Sequence, residues 1–277
     1  MAPSFEPANA ALSKRLLDQH DVVIDAFGGK LLLFPFDQSA SDLKVLESGC
    51  ADGHWLQHLS TLTPSLPSAT YVGTDINDSF FPKSHPQNFT FTKHNVADRW
   101  PSSEHAKYDI VHQRLSLPGA APHAPLRTAV KNLFDLVKPG GWIQLVEAEQ
   151  LGPNSGPVFE QFLDLVKLVF DTTGAGWKYA QEMKGWLEEA GAVDVQEVSV
   201  DMAFGAAHTD AVLAEKGATC TAGAIAGLVM HAKMMGLKTG LSDEELDSMA
   251  DRLLVELREK GANYPLRAAW GRKKEKA

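Results

Sequence analysis

Residues Val45-Leu46-Glu47-Ser48-Gly49-Cys50-Ala51-Asp52-Gly53-His54-Trp55 place an apolar run, an acidic residue and a glycine turn directly ahead of a helix start. Glycine has no Cβ and tolerates positive φ, so bare backbone can lie against a ligand there, while the first helical N–H groups point outward unpaired. That is the chemistry of a small-molecule site, and a nucleotide-like cofactor is its leading occupant. Asp75 closes a second apolar run, where a carboxylate takes ribose hydroxyls, and Asn95-Val96-Ala97-Asp98 follows a third, where a polar side chain takes a base amino group. The turn is not G-x-G-x-x-G, because Ala51 holds the second glycine position and His54 the third. A dinucleotide pyrophosphate needs close backbone approach at those points, so a cofactor without phosphate is easier to accommodate.

The elements that must position these residues follow from periodicity. Leu12, Leu16, Leu17, Val23 and Ile24 recur at helical spacing over residues 9–26, and Phe27-Gly28-Gly29-Lys30 supplies the stop. Short apolar runs at 44–48, 70–75, 89–94, 108–112 and 142–148 read as strands, with helices at 54–62 and 126–137. Strands alternating with helices imply right-handed crossovers and a largely parallel sheet covered on both faces. Ligands of such sheets lie beyond the carboxyl ends of the strands, where the three signals above converge. Beyond Gln150, helices are expected at 158–171 and 177–190 and a strand at 192–204. A long helical section follows at 208–237, then a helix at 242–261 opened by the capping pattern Ser242-Asp243-Glu244-Glu245, and a closing strand at 263–271. The expected organisation is one domain over 1–277, with an N-terminal helical segment (1–43), a cofactor-binding core (44–150) and lid elements (151–180 and 207–260) inserted into the sheet domain.

Together these segments resemble the class I S-adenosylmethionine-dependent methyltransferases, with Glu47-Ser48-Gly49-Cys50-Ala51-Asp52-Gly53 matching their acidic, glycine-rich first motif. More narrowly, His20-Asp21 before Phe27-Gly28-Gly29-Lys30-Leu31, then Tyr108-Asp109-Ile110-Val111-His112-Gln113-Arg114-Leu115 and Lys138-Pro139-Gly140-Gly141-Trp142-Ile143-Gln144-Leu145, are similar to the fungal methyltransferases of secondary-metabolite pathways. The resemblance implies an α/β, Rossmann-like, seven-stranded, mostly parallel sheet with its last strand antiparallel. It also implies S-adenosyl-L-methionine as cofactor, with Glu47, Gly49, Cys50 and Gly53 at its methionine part and Asp75 and Ile76 at the ribose side. Asn95, Val96, Ala97 and Asp98 would face the adenine, and Gln113 and Arg114 would flank the sulfonium. Ala51 departs from the family's commoner glycine.

Methyl transfer from a sulfonium is an in-line displacement, so the main task is alignment and exclusion of water. A base matters for a phenol or alcohol and less for a neutral amine; His112 and His20 are the candidates. His231, Met234 and Met235 are candidate substrate contacts, the alternative being that this methionine cluster, with Met230, packs on the sheet. Trp55, Trp100 and Trp142 read as core anchors rather than a cage for the sulfonium. The expected activity is N- or O-methylation of a small natural product. Two alternatives stand beside it: a cofactor-binding regulator without methyl transfer, and a cyclase using the sulfonium as a fixed charge.

Composition bounds the partners. A net charge of −9 repels phosphate backbones and argues against nucleic acid, the one basic cluster being Arg272-Lys273-Lys274-Glu275-Lys276. No apolar run approaches the roughly 20 residues of a membrane helix, and residues 1–11 lack the pattern of a signal peptide. Cys50 and Cys220 are too few for a disulfide scaffold and have no metal-ligand company, so no metal is expected and a reducing, cytoplasmic setting is the natural reading. A homodimer is the expected assembly, if any.

Overall fold

In a computed structural model, which describes residues 5–7, 9–36, 42–62, 69–152 and 155–275, seven strands form one sheet in the order β3-β2-β1-β4-β5-β7-β6. The strands are β1 (Lys44–Ser48), β2 (Thr70–Asp75), β3 (Phe89–Lys93), β4 (Tyr108–Arg114), β5 (Val137–Ala148), β6 (Ala192–Phe204) and β7 (Ala262–Lys273). The first five pair parallel; β7 runs antiparallel to both β5 and β6. The seven-stranded, mostly parallel expectation holds. Chain order reverses between β1 and β4, because the chain leaves β1 outward to β2 and β3 and then returns to pair β4 on the other side. That reversal opens the crevice at the strands' carboxyl ends.

Two apolar layers cover the sheet. On one face, α3 (Leu126–Leu136) and α5 (Tyr179–Glu189) bury Leu133, Phe134, Met183 and Leu187. On the other lie α1 (Ala10–Ala26), α2 (His54–Thr61), α4 (Pro157–Thr173), α6 (Ala211–Met234) and α8 (Met249–Lys260), which bury Val23, Trp55, Phe159, Ile225 and Leu253. Apolar residues three and four apart bring each helix's stripe onto the sheet. Asn9 caps α1 by accepting from Leu12 N at 3.1 Å.

Element edges differ from the sequence expectation where side chains intervene. β4 runs two residues past His112 to Arg114, and β5 starts at Val137, with a register shift where β4 meets it between Tyr108 and Ile110. The 242–261 segment is two helices, α7 (Asp243–Asp247) and α8. The Ser242–Glu245 capping box forms, and the split falls at Ser248, whose Oγ donates back to Glu244 O at 2.7 Å. α6 corrects the membrane estimate: at 24 residues and a mean hydropathy of 1.2 over its best window, it is long and apolar enough to cross a bilayer. The expectation missed it because alanine and glycine, rather than large side chains, supply its apolarity. α6 packs against α1, α8, α4 and β6 here. Within the C-terminal basic run, Lys276 lies outside the described residues, as do residues 1–4 of the N-terminal stretch.

Candidate functional site

The turn after β1 is built as the sequence implies. Gly49, Ala51 and Gly53 have φ of +70°, +47° and +78°. A Cβ on Gly49 would stand 2.1 Å from Ser116 Oγ, so only glycine lets the β1 turn and the segment after β4 close together. Gly53 serves packing instead: its Cβ would meet the Phe91 ring at 2.8 Å, and it lines no described cavity. Ala51 holds a left-handed conformation that its side chain disfavours, pinned by its N–H donating to Asp75 Oδ2 at 3.0 Å. Asp75 Oδ1 accepts from Asn77 N at 2.9 Å, so the carboxylate is fixed by backbone and keeps lone pairs for a ligand.

These residues open on a cleft of about 310 Å³ that includes Glu47, Gly49, Cys50, Asp75 and Arg114, with Arg15, Leu16 and Gln19 of α1 across from them. Both polar ends have unused valence. Glu47 Oε2 and Arg114 Nη1 are buried without a hydrogen-bond partner. Burial pushes Glu47 up to about 8, the Arg114 charge opposing and the Asp52 and Asp75 charges reinforcing the rise. Burial also pushes the Cys50 thiol well up, so it stays neutral. A zwitterionic amino acid group matches the orphans, its ammonium to Glu47 and its carboxylate to Arg114. The donor set therefore fits the methionine end of S-adenosylmethionine.

A smaller recess of about 80 Å³ continues from the same turn, lined by Asp75, Ile76, His94, Asn95 and Val96. Ile76 is 55% exposed beside it, an apolar face with nothing stacked upon it. His94 stacks on Trp100 with centroids 3.7 Å apart and is held below its usual range by burial, hence neutral. This recess suits a flat base next to a carboxylate that takes ribose hydroxyls. Of the four residues after β3, Asn95 and Val96 line it; Ala97 is buried in the core, and Asp98 is exposed on the turn closed by its N–H to Asn95 O.

The remaining assignments are redistributed. Gln113 lines neither cavity: its Nε2 donates to Glu147 Oε1 at 2.6 Å and Ser116 Oγ at 2.9 Å. His20 supports Arg114. Its Nδ1 accepts from Arg114 Nη2 at 3.1 Å, so its proton is on Nε2, which donates to His58 Nδ1 at 2.8 Å. Burial and the neighbouring guanidinium push it down to about 2, so it remains neutral. His112 stacks under Trp55 at 3.8 Å between centroids, 1% exposed, and burial holds it well below its usual range. Neither histidine faces the cleft, whose wall is closed by Trp55 on the His112 side. Trp55 is thus a core anchor with one edge on the cleft, and Trp142 stacks on Phe34.

A second cavity, about 280 Å³ and mainly apolar, adjoins the cleft and shares Gln19 and Leu115 with it. Phe162, Phe170, Tyr179, Met202, Phe204, Leu228 and Tyr264 form its walls. Its acid is spent: Glu147 Oε1 accepts from Gln113, Ser116 N and Leu117 N, and Oε2 accepts from Tyr179 OH at 2.7 Å. Those bonds pin the segment after β4, where Leu115 takes φ +52° with its N–H on Val146 O. His231, Met234 and Met235, the expected substrate contacts, do not line this cavity. All three are exposed, Met234 to 77%, at or just past the end of α6. The helix presents Cys220, Thr221, Ala224 and Leu228 to the cavity, and at ~1.5 Å per residue Met234 lies roughly 9 Å beyond Leu228. Met230 and Met234 flank a separate outer groove instead of packing on the sheet. The sequence reading missed Arg15, Leu16 and Gln19, whose spacing puts one face of α1 over the cleft, and it missed the aromatic walls supplied by four separate elements.

The chain is similar to known proteins in sequence and in fold. The family described as "Methyltransferase domain" matches residues 20–197. The N-methyltransferase sirN of Leptosphaeria maculans is 39% identical over 202 residues, covering 71% of this chain and 69% of its own. The methyltransferase psoC of Aspergillus fumigatus is 34% identical over 250 residues, 90% of this chain and 89% of that one, and the N-methyltransferase gliN of the same species is 32% identical, covering 94% and 93%. A chain from the solved complex between the Haloferax volcanii Trm112 methyltransferase activator and a putative methyltransferase aligns with a TM-score of 0.53 at 13% identity over 96% of each chain, a likeness of fold.

Proposed function

The chain belongs to the methyltransferase-domain family and is an S-adenosylmethionine-dependent methyltransferase, and from that premise we propose that its acceptor is a small, largely apolar natural product methylated on nitrogen. The observation that carries this reading is the pair of adjoining cavities, one with polar ends that match the cofactor and one apolar, meeting at Gln19 and Leu115. S-adenosylmethionine supplies an electrophilic methyl on a sulfonium. Glu47 and Arg114 would hold its amino acid end, Asp75 its ribose, and Ile76, His94, Asn95 and Val96 would border its base.

The chain's own contribution is alignment and dryness. Aromatic and aliphatic walls strip water from the acceptor, and the pinned segment after β4 fixes Leu115 at the passage between the cavities. Well-oriented partners gain roughly 7–11 kcal/mol in barrier from proximity alone, which is where a transferase without a dedicated nucleophile finds its rate. Among the described residues lining the apolar cavity no free base is present, since Glu147 is saturated and Tyr179 and Tyr264 donate to Glu147 and Gln150. An acceptor nitrogen that is neutral at working pH needs none, whereas a phenol or alcohol does. Two of the three relatives above carry N-methyltransferase in their names, in line with this choice. The test is mass spectrometry of the protein incubated with methyl-labelled S-adenosylmethionine and a crude fungal metabolite extract. One labelled methyl on an apolar, nitrogen-bearing product is expected; labelling confined to hydroxyl oxygens, or to no small molecule at all, would refute the reading.

A further inference from the structure

We infer that Gln19, on α1, is the acceptor-orienting residue: its side-chain carbonyl receives the N–H of a neutral, ring-bearing acceptor at the passage between the two cavities. The inference deepens the reading above and rests on it. Gln19 lines both the polar cleft and the apolar cavity, a position it shares with Leu115, whose side chain cannot hydrogen-bond. Most other polar groups around the apolar cavity are engaged. Tyr264 OH donates to Gln150 Oε1 at 2.5 Å, Gln150 Nε2 donates to Ala148 O, and Cys220 Sγ donates to Gly217 O. Glu147 and Tyr179 bond one another. Among the described residues of that wall Gln19 and Thr221 make no side-chain hydrogen bond, and of the two only Gln19 reaches the polar cleft, half-buried where donor and acceptor meet.

A carboxamide there performs a task that no aliphatic residue performs. When its oxygen accepts the acceptor's N–H, the nitrogen lone pair turns away from α1 and across the passage. The lone pair then forms the N–C bond to the methyl as the C–S bond breaks, its electrons passing to sulfur. The nitrogen is left cationic, its N–H still donated to the Gln19 carbonyl, and that proton is lost to water after release. An amide is neutral at every working pH and cannot take the proton, so Gln19 orients without acting as a base. α1 fixes the backbone that carries the side chain: Asn9 caps the helix, His20 is bonded to Arg114 and His58, and Asp18 pairs with Lys14 and Lys216. The same contacts make Gln19 a discriminator, because an acceptor without the N–H leaves the carbonyl unpaired beside an apolar wall.

The experiment uses indole and 1-methylindole as binding probes, titrated by saturation-transfer NMR into the full-length protein saturated with S-adenosylhomocysteine. The extra methyl alone favours 1-methylindole about fourfold in an apolar cavity. Wild type is expected to bind indole about threefold or more the tighter. Gln19→Leu should reverse the order and Gln19→Glu should widen it, each variant being saturated with S-adenosylhomocysteine at its own measured Kd. Preference for 1-methylindole by wild type, retention of the indole preference in Gln19→Leu, or no saturation by either probe overturns the inference. Failure of S-adenosylhomocysteine to bind wild type, seen before any probe is added, overturns the cofactor reading and this inference with it.

Discussion

Glu47 should release a proton when the cofactor binds. Buried at the end of β1 and pushed up to about 8, it is about nine-tenths protonated in the free protein at pH 7. The cofactor's amino group, with an α-amino pKa near 7.7–8.0, arrives carrying its own proton. An ammonium beside an orphaned, buried carboxylate oxygen stabilises the ionised acid, so the complex keeps one proton where the separated partners held nearly two. Binding at pH 7 should therefore release about 0.8 proton, and affinity should rise nearly tenfold per pH unit below pH 7, levelling near 8 as the amine itself deprotonates. Calorimetric titration of S-adenosylhomocysteine in phosphate and in Tris reads this directly, because the released proton is taken up by buffers of different ionisation heat. Glu47→Gln should remove the buffer dependence. The free protein gives an independent check. An acid whose folded pKa is raised contributes stability that is complete below its ordinary value of 4.5 and is lost as pH climbs through about 8. With a slope of up to about 1.4 kcal/mol per pH unit, Glu47 alone should cost the unliganded protein roughly 2–3 kcal/mol between pH 6 and 8. Equal heats in the two buffers, or an unchanged buffer dependence in Glu47→Gln, would refute the reasoning.

Other substitutions separate binding from packing. Asp75→Ala should weaken S-adenosylhomocysteine binding about 10- to 150-fold, since each charge-assisted bond is worth roughly 1.5–3 kcal/mol; an effect under twofold in calorimetry would move the ribose contact elsewhere. Gly49→Ala should cost about 2–4 kcal/mol in urea unfolding, combining a left-handed backbone with a Cβ 2.1 Å from Ser116 Oγ, and a loss below about 0.5 kcal/mol would contradict the closure described. His112→Ala should destabilise by roughly 2–3 kcal/mol through the void left under Trp55, while S-adenosylhomocysteine affinity stays within threefold in the folded fraction; full stability would show that the stack contributes little.

Much of the fold was legible because each element carries its own period and punctuation. Residues 192–204 alternate and end at Gly205, and β6 has those bounds; Ser242 announces a helix that it does cap. The cofactor rim was legible for the same reason, since Glu47, Gly49 and Asp75 lie at ends of strands whose adjacency follows from parallel βαβ winding. Roles that depend on the direction of one side chain were not. His112 and Gln113 are consecutive on β4 and point to opposite faces, one under Trp55 and the other onto Glu147, and no local pattern tells which neighbour each will meet. The acceptor cavity was least legible, because its walls come from α1, α4, α5, α6, β6 and β7, joined only by tertiary packing. The methionine cluster at 230–235 shows why: adaptable side chains suggested a pocket, and the length of α6 carries them past this cavity to an outer groove.

The most direct measurement is a crystal structure of the protein with S-adenosylhomocysteine. Its amino acid end should lie between Glu47 and Arg114, its ribose on Asp75, its base beside Ile76 and Asn95, and its sulfur facing the passage between Gln19 and Leu115. A ligand bound elsewhere, or a sulfur turned away from the apolar cavity, would contradict the account.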